Sequence, residues 1–501
     1  MLLSIDENTK SEKSVKLFSG GRYDLYHYKT YSDIRLVFVP ENQLAFFGRE
    51  HDSITYLRYG LDVAFLRAYE DGKPAATPHF LKWSAEGVKE GELVFASGNP
   101  APTMRSSTAA QLTFYRDTAL PLTLNRLMPR IKLLGEGPVL TSLLTQYKLA
   151  AGKLIGLRDD RLVARKTIFE GKIRHTVERD PALGMAGGKV WDEVATAYKN
   201  WAPFEKPYQI LEGSPAPGSS LFRIARQIVR SETVDQDVSI QEPIEILMLT
   251  SYLEELQRLG EKESPIKNIL SGRTPQQAAE AFVKTSKLAN PAERRNNSED
   301  GMIHLATLLD PAGRRLKKKH DDVFKSVEAA AAKIAQYRFR LFGAADYPDA
   351  TSTPRVEFGV VKGYVDRAGV PAPYAATFSG LYYRANDAGP YSVPKRWVDG
   401  RGSLNIVTPL DFVSTCDIGS GDYGSPVVNR AGELVGVTFD GNLESLPDTY
   451  LYTSEGARAV HVAGQGIVEA LEKIYKASAL LREFGIGSSQ KPNQKPVASS
   501  Q

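Results

Sequence analysis

The chain has 501 residues, with 63 Lys and Arg against 59 Asp and Glu, so its formal net charge is only +4. Apolar residues make up 42% and charged residues 24%, which is typical of a globular protein; at roughly 150 residues per domain, the length predicts about three domains. The nearly balanced charge gives no electrostatic reason to expect a nucleic-acid partner. The single cysteine, Cys416, excludes an intrachain disulfide and a zinc site built on cysteine pairs.

The sequence also argues against export, membrane insertion and metal binding. The N-terminus lacks the basic start and long apolar stretch of a signal peptide, so the chain as given is expected to be cytoplasmic. No apolar run reaches about 18 residues, so no membrane span is expected. No cofactor or metal is expected, because metal-ligand spacing is missing among the seven histidines, which are His27, His51, His79, His175, His304, His320 and His461.

The first part of the chain, up to residue 118, is rich in short β-type runs. They lie at 34–39, 63–69 and 92–96, and Gly-containing pairs such as Asp71-Gly72 separate them as turns. The pattern predicts antiparallel sheet.

Residues 119–345 change to helical spacing. Thr274 and Pro275, with Gln277 as capping-box partner, predict a helix start. A second helix is predicted to begin at Pro243 and to end at Gly260, and a third to begin at Asp310 and Pro311.

After residue 348 the β-type signal returns, and a final amphipathic helix follows with Ile467, Leu471, Ile474 and Leu481 on one face. Residues 429–432 are typical of a hairpin turn. The polar, Pro-containing end at 485–501 is expected to be disordered. The predicted strands of this part lie at 355–364, 404–408, 425–429, 433–439 and 449–453.

The most informative motif runs from Gly421 through Asp422, Tyr423 and Gly424 to Ser425 and Pro426. Glycines on either side of the Asp–Tyr pair allow a tight turn in which backbone N–H groups converge beside one side chain. In chymotrypsin-like serine peptidases that turn forms the oxyanion hole, and the side chain is the nucleophilic serine. Here the corresponding residue is Tyr423.

With its surroundings, this motif resembles the dipeptidyl-peptidase 7 and 11 family of bacterial serine exopeptidases, serine peptidase family 46 of the chymotrypsin-like clan. The resemblance covers residues from about 15 to 484. The segments that carry it are 20–26, 33–37, 46–48, 69–72, 394–397, 414–418, 421–426 and 439–445.

The resemblance implies an α+β fold: a chymotrypsin-like double β-barrel with a large inserted α-helical domain. It also implies removal of N-terminal dipeptides from peptides by a Ser-His-Asp triad. The family's histidine motif, which precedes the matched region, does not occur in this chain, so the first barrel is expected to be incomplete. The expected domains are a remnant of the first barrel at 1–118, a helical cap at 119–345, a second barrel with a C-terminal helix at 346–484, and a tail at 485–501.

The resemblance also assigns site residues, several of which depart from the family pattern. Asp62 lies at the triad aspartate, and Tyr423 replaces the nucleophile within the turn of Gly421 and Gly424. A phenol with a pKa near 10 is a poor nucleophile unless it is ionised.

The substrate-binding positions are also changed in part. Ser53 and Ile54 stand where the family has Asn and an aromatic residue to hold the free amino group. Asp440 matches the acidic partner of that ammonium group, and Gly441 matches members that prefer an apolar residue before the cleaved bond. The resemblance implies a peptide with a free N-terminus as partner, a homodimer, and a periplasmic or secreted location.

Two hypotheses about function remain open. The chain is either a serine-type dipeptidyl aminopeptidase by descent with impaired or lost activity, or a pseudopeptidase or gene fragment that binds peptide N-termini through Asp440 without cutting them. For single residues, the alternatives are a turn-capping role for Asp440 and a paired strand carboxylate at Asp62. Further alternatives are that His51 replaces the missing base, or that Ser425 or Cys416 replaces the missing nucleophile.

Overall fold

The computed structural model describes residues 12–18, 22–45, 52–135, 137–182, 184–213, 219–234, 238, 240–260, 262, 264–295, 299–345, 348–386, 389 and 391–486. The chain divides into two compact units. Unit 1 comprises Met1–Leu17, Arg22–Arg105 and Pro348–Gln501, and unit 2 comprises Phe18–Gly21 and Ser106–Tyr347. The predicted first and third segments therefore both contribute to unit 1.

Unit 1 contains all of the described strands and five helices. Before unit 2 in sequence, its elements are β1 Glu12–Leu17, β2 Arg22–His27, β3 Asp33–Phe38, α1 Asn42–Ala45, β4 Phe65–Glu70, β5 Lys73–Pro74, β6 Lys82–Trp83 and β7 Leu93–Gly98. After unit 2 they are β8 Arg355–Val360, β9 Tyr364–Val365, β10 Pro371–Ala372, β11 Ala375–Thr377, α12 Phe378–Arg384, α13 Lys395–Gly400, β12 Pro409–Ser414, β13 Pro426–Val428, β14 Glu433–Gly441, β15 Ala459–Ala463, α14 Gly464–Lys473 and α15 Ser478–Glu483.

Unit 2 is helical. Its helices are α2 Ala109–Phe114, α3 Leu120–Leu133, α4 Pro138–Leu157, α5 Asp160–Arg179, α6 Gly184–Leu211, α7 Ser220–Val229, α8 Glu242–Leu259, α9 Ile266–Leu270, α10 Pro275–Thr285 and α11 Gly301–Phe342. A π-helical turn at Tyr115–Ala119 joins α2 to α3. The helical part thus begins ahead of residue 119.

An eight-stranded sheet forms the centre of unit 1. Its strand order is β11-β12-β15-β14-β13-β7-β8, with β6 paired to β14. β7 and β8 lie side by side in antiparallel register although unit 2 separates them in sequence. A single bridge joins Val361 to Ser414 at the end of β8, but no closed barrel forms among the described strands. The fold is therefore a mixture of helices and sheets.

A second sheet, of three strands in the order β3-β4-β5, carries residues of the first predicted segment. One side contacts the C-terminal helices through aromatic rings. Phe65 lies 4.9 Å from Phe484, and Phe38 lies 4.9 Å from Tyr475, measured between ring centroids. These rings border the apolar core around Trp397, Leu410 and Ile467.

Two of the predicted helix boundaries are confirmed and one is wrong. Thr274 caps α10 with a complete capping box, and α8 ends at Gly260. The helix predicted to start at Asp310 instead begins at Gly301, where Asp300 accepts a hydrogen bond from the Met302 N–H. Pro311 lies inside α11, and burial of an apolar face on both sides of it outweighs the loss of one backbone hydrogen bond.

Two predicted strands are also wrong. Residues 404–408 follow a short 3₁₀ helix, with a turn closed by the Thr408 N–H and the Asn405 carbonyl. Residues 449–453 start at the last residue of the 3₁₀ helix Leu443–Thr449, which contains Pro447. Both runs have β-type residues, but neither pairs with a strand in the part of the chain that the structure describes. The final predicted helix is divided into α14 and α15, and most of the predicted disordered tail, 487–501, lies outside the described residues.

No helix in the described ranges is both long enough and apolar enough to cross a membrane.

Candidate active site

The turn that carries Tyr423 lies between β12 and β13 and is held by hydrogen bonds of its own backbone. The Gly419 N–H donates to the Asp422 carboxylate at 2.7 Å, and the Asp422 N–H donates to the Gly419 carbonyl at 3.1 Å. Gly424 has a φ of +88°, a left-handed conformation that glycine adopts without strain. Its N–H donates to the Thr438 carbonyl at 2.8 Å, which fixes the turn to β14.

Two N–H groups of this turn remain available. In the described part of the chain, the N–H groups of Gly421 and Tyr423 have no acceptor. Gly421 packs so closely on the Asn99 carbonyl that a β-carbon there would collide with it. The turn therefore keeps two free backbone donors beside Tyr423, which is the donor pattern an oxyanion hole requires.

Tyr423 is poorly suited to be a nucleophile. Its side chain is 52% exposed, yet the protein around its hydroxyl disfavours the charged form. This desolvation, together with the nearby Asp440 carboxylate, raises the pKa of Tyr423 above its ordinary value near 10. The phenol is therefore neutral at neutral pH.

Asp440 is fully engaged inside the protein. One carboxylate oxygen accepts the Ile54 N–H at 2.7 Å and pairs with the Arg58 guanidinium, and the other accepts the Gly441 N–H at 2.8 Å. Arg58 is only 1% exposed and lies 3.9 Å from the Asp52 carboxylate. Asp52 in turn pairs with Arg384. The predicted ammonium partner is thus already balanced by a buried arginine.

Two further carboxyl groups surround this arginine. Burial raises the pKa of Asp62 to about 7. The positive charge of Arg58 opposes this rise, and the negative charge of Asp440 adds to it. Burial also raises the pKa of Asp411 to about 8, although Asp411 accepts the Gly60 N–H at 2.8 Å. The structure therefore brings Asp62, Ile54 and Asp440 together around Arg58.

Among the described residues, no histidine is placed to act as a base at this site, because neither Asp62 nor Tyr423 forms a hydrogen bond with a histidine. The serine–histidine pair that does form is His461 Nε2 with Ser414 Oγ, at 2.7 Å, and the Thr438 hydroxyl lies 3.0 Å from His461 Nδ1. Both members of the pair are 0% exposed, and burial lowers the pKa of His461 to about 3. His461 is a neutral core residue, and His51 lies outside the described residues.

The other potential nucleophiles are also buried. Ser425 is 6% exposed beneath the turn. Burial raises the pKa of the Cys416 thiol to about 12, so its reactive thiolate is scarce.

Behind the turn, Glu357 on β8 meets Asp422. The two carboxyl groups interact, and this interaction favours a proton on Glu357. Burial makes the largest contribution to the raised pKa of Glu357, and the negative charges of Asp422 and Asp417 add to it. The positive charge of Arg105, which pairs with Asp417, opposes the rise. Glu357 Oε2 and Asp422 Oδ1 have no hydrogen-bond partner among the described atoms.

Sequence reasoning missed Arg58, Asp411 and Glu357. The only feature of the sequence that pointed to Arg58 is its place between Ile54 and Asp62, two positions that the resemblance assigns to the site. Glu357 alternates with Val356 and Phe358 along β8, and this alternation alone would predict that the apolar side chains face inward. In the structure Val356 and Phe358 are 72% and 70% exposed and Glu357 faces inward. Over the described ranges, no group of three or more His, Cys, Asp or Glu residues is placed to hold a metal ion.

Comparison with known proteins agrees with the resemblance. The sequence model of the Peptidase S46 family matches residues 4–486. The Asp/Glu-specific dipeptidyl-peptidase of Shewanella putrefaciens is 25% identical over 96% of this chain and 78% of its own length. The dipeptidyl-peptidase 7 of Phocaeicola vulgatus is 24% identical over 95% of this chain and 75% of its own length.

Solved structures show the same fold. The crystal structure of Porphyromonas endodontalis DPP11 in complex with the dipeptide Arg-Glu is similar with a TM-score of 0.82, covering 95% of this chain and 78% of that chain at 19% identity. Since the family model extends over nearly the whole sequence, the chain belongs to the Peptidase S46 family.

Proposed function

We propose that this chain is a non-hydrolytic member of a dipeptidyl-peptidase family. The observation that carries the proposal is Tyr423 at the nucleophile position, with a pKa raised above its ordinary value. The phenol oxygen also lies a ring's length beyond the place of a serine hydroxyl. The ring therefore fills the space that a scissile carbonyl needs next to the Gly421 and Tyr423 N–H groups.

The surroundings of Tyr423 support the same conclusion. A triad aspartate must be ionised to stabilise the imidazolium that forms during catalysis. Burial raises the pKa of Asp62 to about 7, so a large part of it is protonated at neutral pH, and no histidine of the described part contacts it. Among the described residues, general-base activation of a nucleophile has no candidate at this position.

Peptide binding is the activity that the remaining geometry supports best. Asp440 lies beside Tyr423, so the negative charge that would attract a peptide ammonium group is present although the Tyr423 ring covers the donors of the turn. A peptide ammonium group would have to share Asp440 with Arg58, so we expect weaker dependence on a free N-terminus than in an enzyme whose anchor is unoccupied.

The preference for an apolar second residue is proposed from Gly441. Gly441 itself has no side chain that could pair with an acidic residue, and a β-carbon at this position would lie 2.7 Å from the Ser445 hydroxyl. The Shewanella relative is named as Asp/Glu-specific, and this chain is proposed to differ from it.

Further features are proposed from the family resemblance. The eight-stranded sheet would be the second barrel and the three-stranded sheet part of the first, with residues 119–345 forming most of the helical cap. A homodimer and a periplasmic or secreted location complete the proposal.

Covalent labelling tests the loss of the nucleophile. A fluorophosphonate probe reacts with the activated serine of serine peptidases and should not label this chain, because a neutral phenol without a base is not activated. The measurement is in-gel fluorescence after incubation with the purified chain, with the Shewanella putrefaciens peptidase as the positive control.

Labelling that is retained in Tyr423→Phe but lost in Ser425→Ala would assign the nucleophile to Ser425 and contradict the proposal. If the wild-type chain is labelled and the Tyr423→Phe variant is not, the Tyr423 phenol is an activated nucleophile, and this result would also contradict the proposal.

A further inference from the structure

The interior of unit 2 contains two buried arginines that share one carboxylate. Arg126 and Arg130 lie one turn apart on α3 and are 6% and 1% exposed. Arg130 Nη2 donates to Glu255 Oε2 at 3.0 Å, and Arg126 Nε donates to the same oxygen at 3.3 Å. Burial lowers the pKa of Arg130; Glu255 opposes this effect, and the like charge of Arg126 adds to it. Since an arginine keeps its charge inside a protein, two positive charges meet a single negative charge here.

Glu205, another buried carboxylate of unit 2, is engaged elsewhere. Its oxygens accept hydrogen bonds from Trp201 Nε1 at 2.6 Å and from Gln209 Nε2 at 2.8 Å. Over the described ranges, the ion pairs of the two arginines involve Glu255 alone. A buried charge without a counter-charge is unfavourable, because it has lost its hydration. The arginine pair is therefore short of one negative charge.

Arg130 also carries donors that the protein does not satisfy. Within the described residues, Arg130 Nε and Nη1 are buried and have no hydrogen-bond acceptor. The Tyr252 hydroxyl, which lies on α8 one turn before Glu255, is likewise buried without a partner there. Tyr252 is close enough to Arg130 for the two groups to interact electrostatically. Because buried N–H and O–H groups are almost always paired, these donors indicate an acceptor from outside the chain.

The surroundings of Arg130 favour a small acceptor with a single negative charge. Leu127 and Ile131, its neighbours on α3, belong to an apolar cluster with Leu143 and Met248. Ordered water would satisfy the donors but would not offset the positive charge. Phosphate would bring more negative charge than the arginine pair lacks, and it would lose more hydration in apolar surroundings. Chloride carries one charge and accepts several hydrogen bonds.

We infer that Arg130, together with the Tyr252 hydroxyl, binds a single chloride ion inside unit 2. The ion would accept hydrogen bonds from the guanidinium and the phenol, and it would supply the negative charge that Glu255 alone does not provide. It would thereby link α3 to α8 and stabilise the helical unit. This inference goes beyond the proposed function, because it requires neither peptide binding nor hydrolysis.

Hydrogen exchange of the full chain, followed by mass spectrometry, tests the inference. Exchange is compared at low and high chloride, with sodium gluconate keeping the ionic strength constant, because gluconate is too large for a buried site. An ion that binds only the folded state slows opening by the factor 1 + [Cl⁻]/Kd, which is about tenfold at 100 mM chloride for a Kd of about 10 mM. We expect this slowing in peptides from α3 and α8 and none in peptides from α14 of unit 1.

Two matched variants and one direct measurement locate the ion. Arg130→Met removes the charge and the donors but keeps a long apolar side chain, so the chloride effect should disappear. Lys132→Met removes an exposed cation from the same helix and should retain the effect. Far-UV circular dichroism verifies that both variants fold. Independently of any variant, wild-type crystals soaked in bromide should show an anomalous scattering peak beside the Arg130 guanidinium.

Three results would overturn the inference. Exchange that is equal in chloride and in gluconate would show that the donors do not bind chloride. A chloride effect that persists in Arg130→Met would place the ion elsewhere. A bromide map without a peak beside Arg130 would assign its donors to ordered water.

Discussion

Replacing Arg58 with alanine is expected to lower the free energy of unfolding of unit 1 by about 3–5 kcal/mol. The guanidinium is 1% exposed and pairs with Asp440, and it also opposes the raised pKa values of Asp62 and Asp411. Its removal leaves a buried carboxylate without a counter-charge. This penalty is far larger than the loss of an exposed ion pair.

The single cysteine gives a readout specific to unit 1. Cys416 is buried in this unit, so its reaction with a thiol reagent during a urea titration reports on unfolding of unit 1 alone. Lys395→Ala, which removes an exposed pair with Asp399, is the matched control and should change stability by less than about 1 kcal/mol.

If the unpaired carboxylate causes the loss, adding Asp440→Asn to Arg58→Ala should restore part of the stability. A double variant as unstable as the sum of the two single variants would contradict this explanation.

The second large effect is expected from Glu357→Gln at alkaline pH. Burial and the neighbouring Asp422 carboxylate raise the pKa of Glu357 well above the value near 4.3 of an unfolded glutamate. As the pH rises between these two pKa values, the unfolded chain loses its proton while the folded chain keeps it, so the free energy of unfolding falls. A glutamine donates to Asp422 at every pH and removes this loss.

The variant should therefore resemble the wild type at pH 5 and be more stable by roughly 1–3 kcal/mol at pH 9. Urea midpoints from labelling Cys416 with 4,4′-dithiodipyridine, which reacts at both pH values, provide the measurement. Glu455→Gln, at an exposed position, should show no such difference. Equal stability of wild type and Glu357→Gln at pH 9 would show that Glu357 does not retain a proton.

Local signals predicted much of the fold because they depend on short stretches of sequence. The capping box at Thr274 and the glycine after α8 mark helix ends through backbone hydrogen bonds that involve only neighbouring residues. The start of α11 was missed because an Asp–Pro pair is an equally good local start, and only the buried face that continues past Pro311 decides against it.

The candidate site was predictable only in part, for a different reason. The turn glycines and the Tyr423 substitution can be read from one segment. The Arg58–Asp440 pair joins residues 382 positions apart, and the Glu357–Asp422 pair joins β8 to the turn. Such pairs depend on the strand order of the sheet, which residue spacing does not specify.

The proposed function separates two parts of the site. The turn at 421–424 has two free backbone donors among the described residues, whereas Tyr423 is proposed to replace the nucleophile. Backbone geometry depends on glycines and on pairing with β14, both of which also stabilise the fold. We therefore expect the turn to persist when the chemistry is lost.

The most direct test is the hydrolysis of dipeptidyl-methylcoumarylamide substrates by the purified chain, with apolar and acidic residues next to the reporter. The Shewanella putrefaciens peptidase, assayed in parallel, provides the positive control. We predict no release of fluorophore above the buffer rate with either substrate class. Release by the wild-type chain that disappears in Tyr423→Phe or Asp62→Asn would contradict the proposal that this chain is non-hydrolytic.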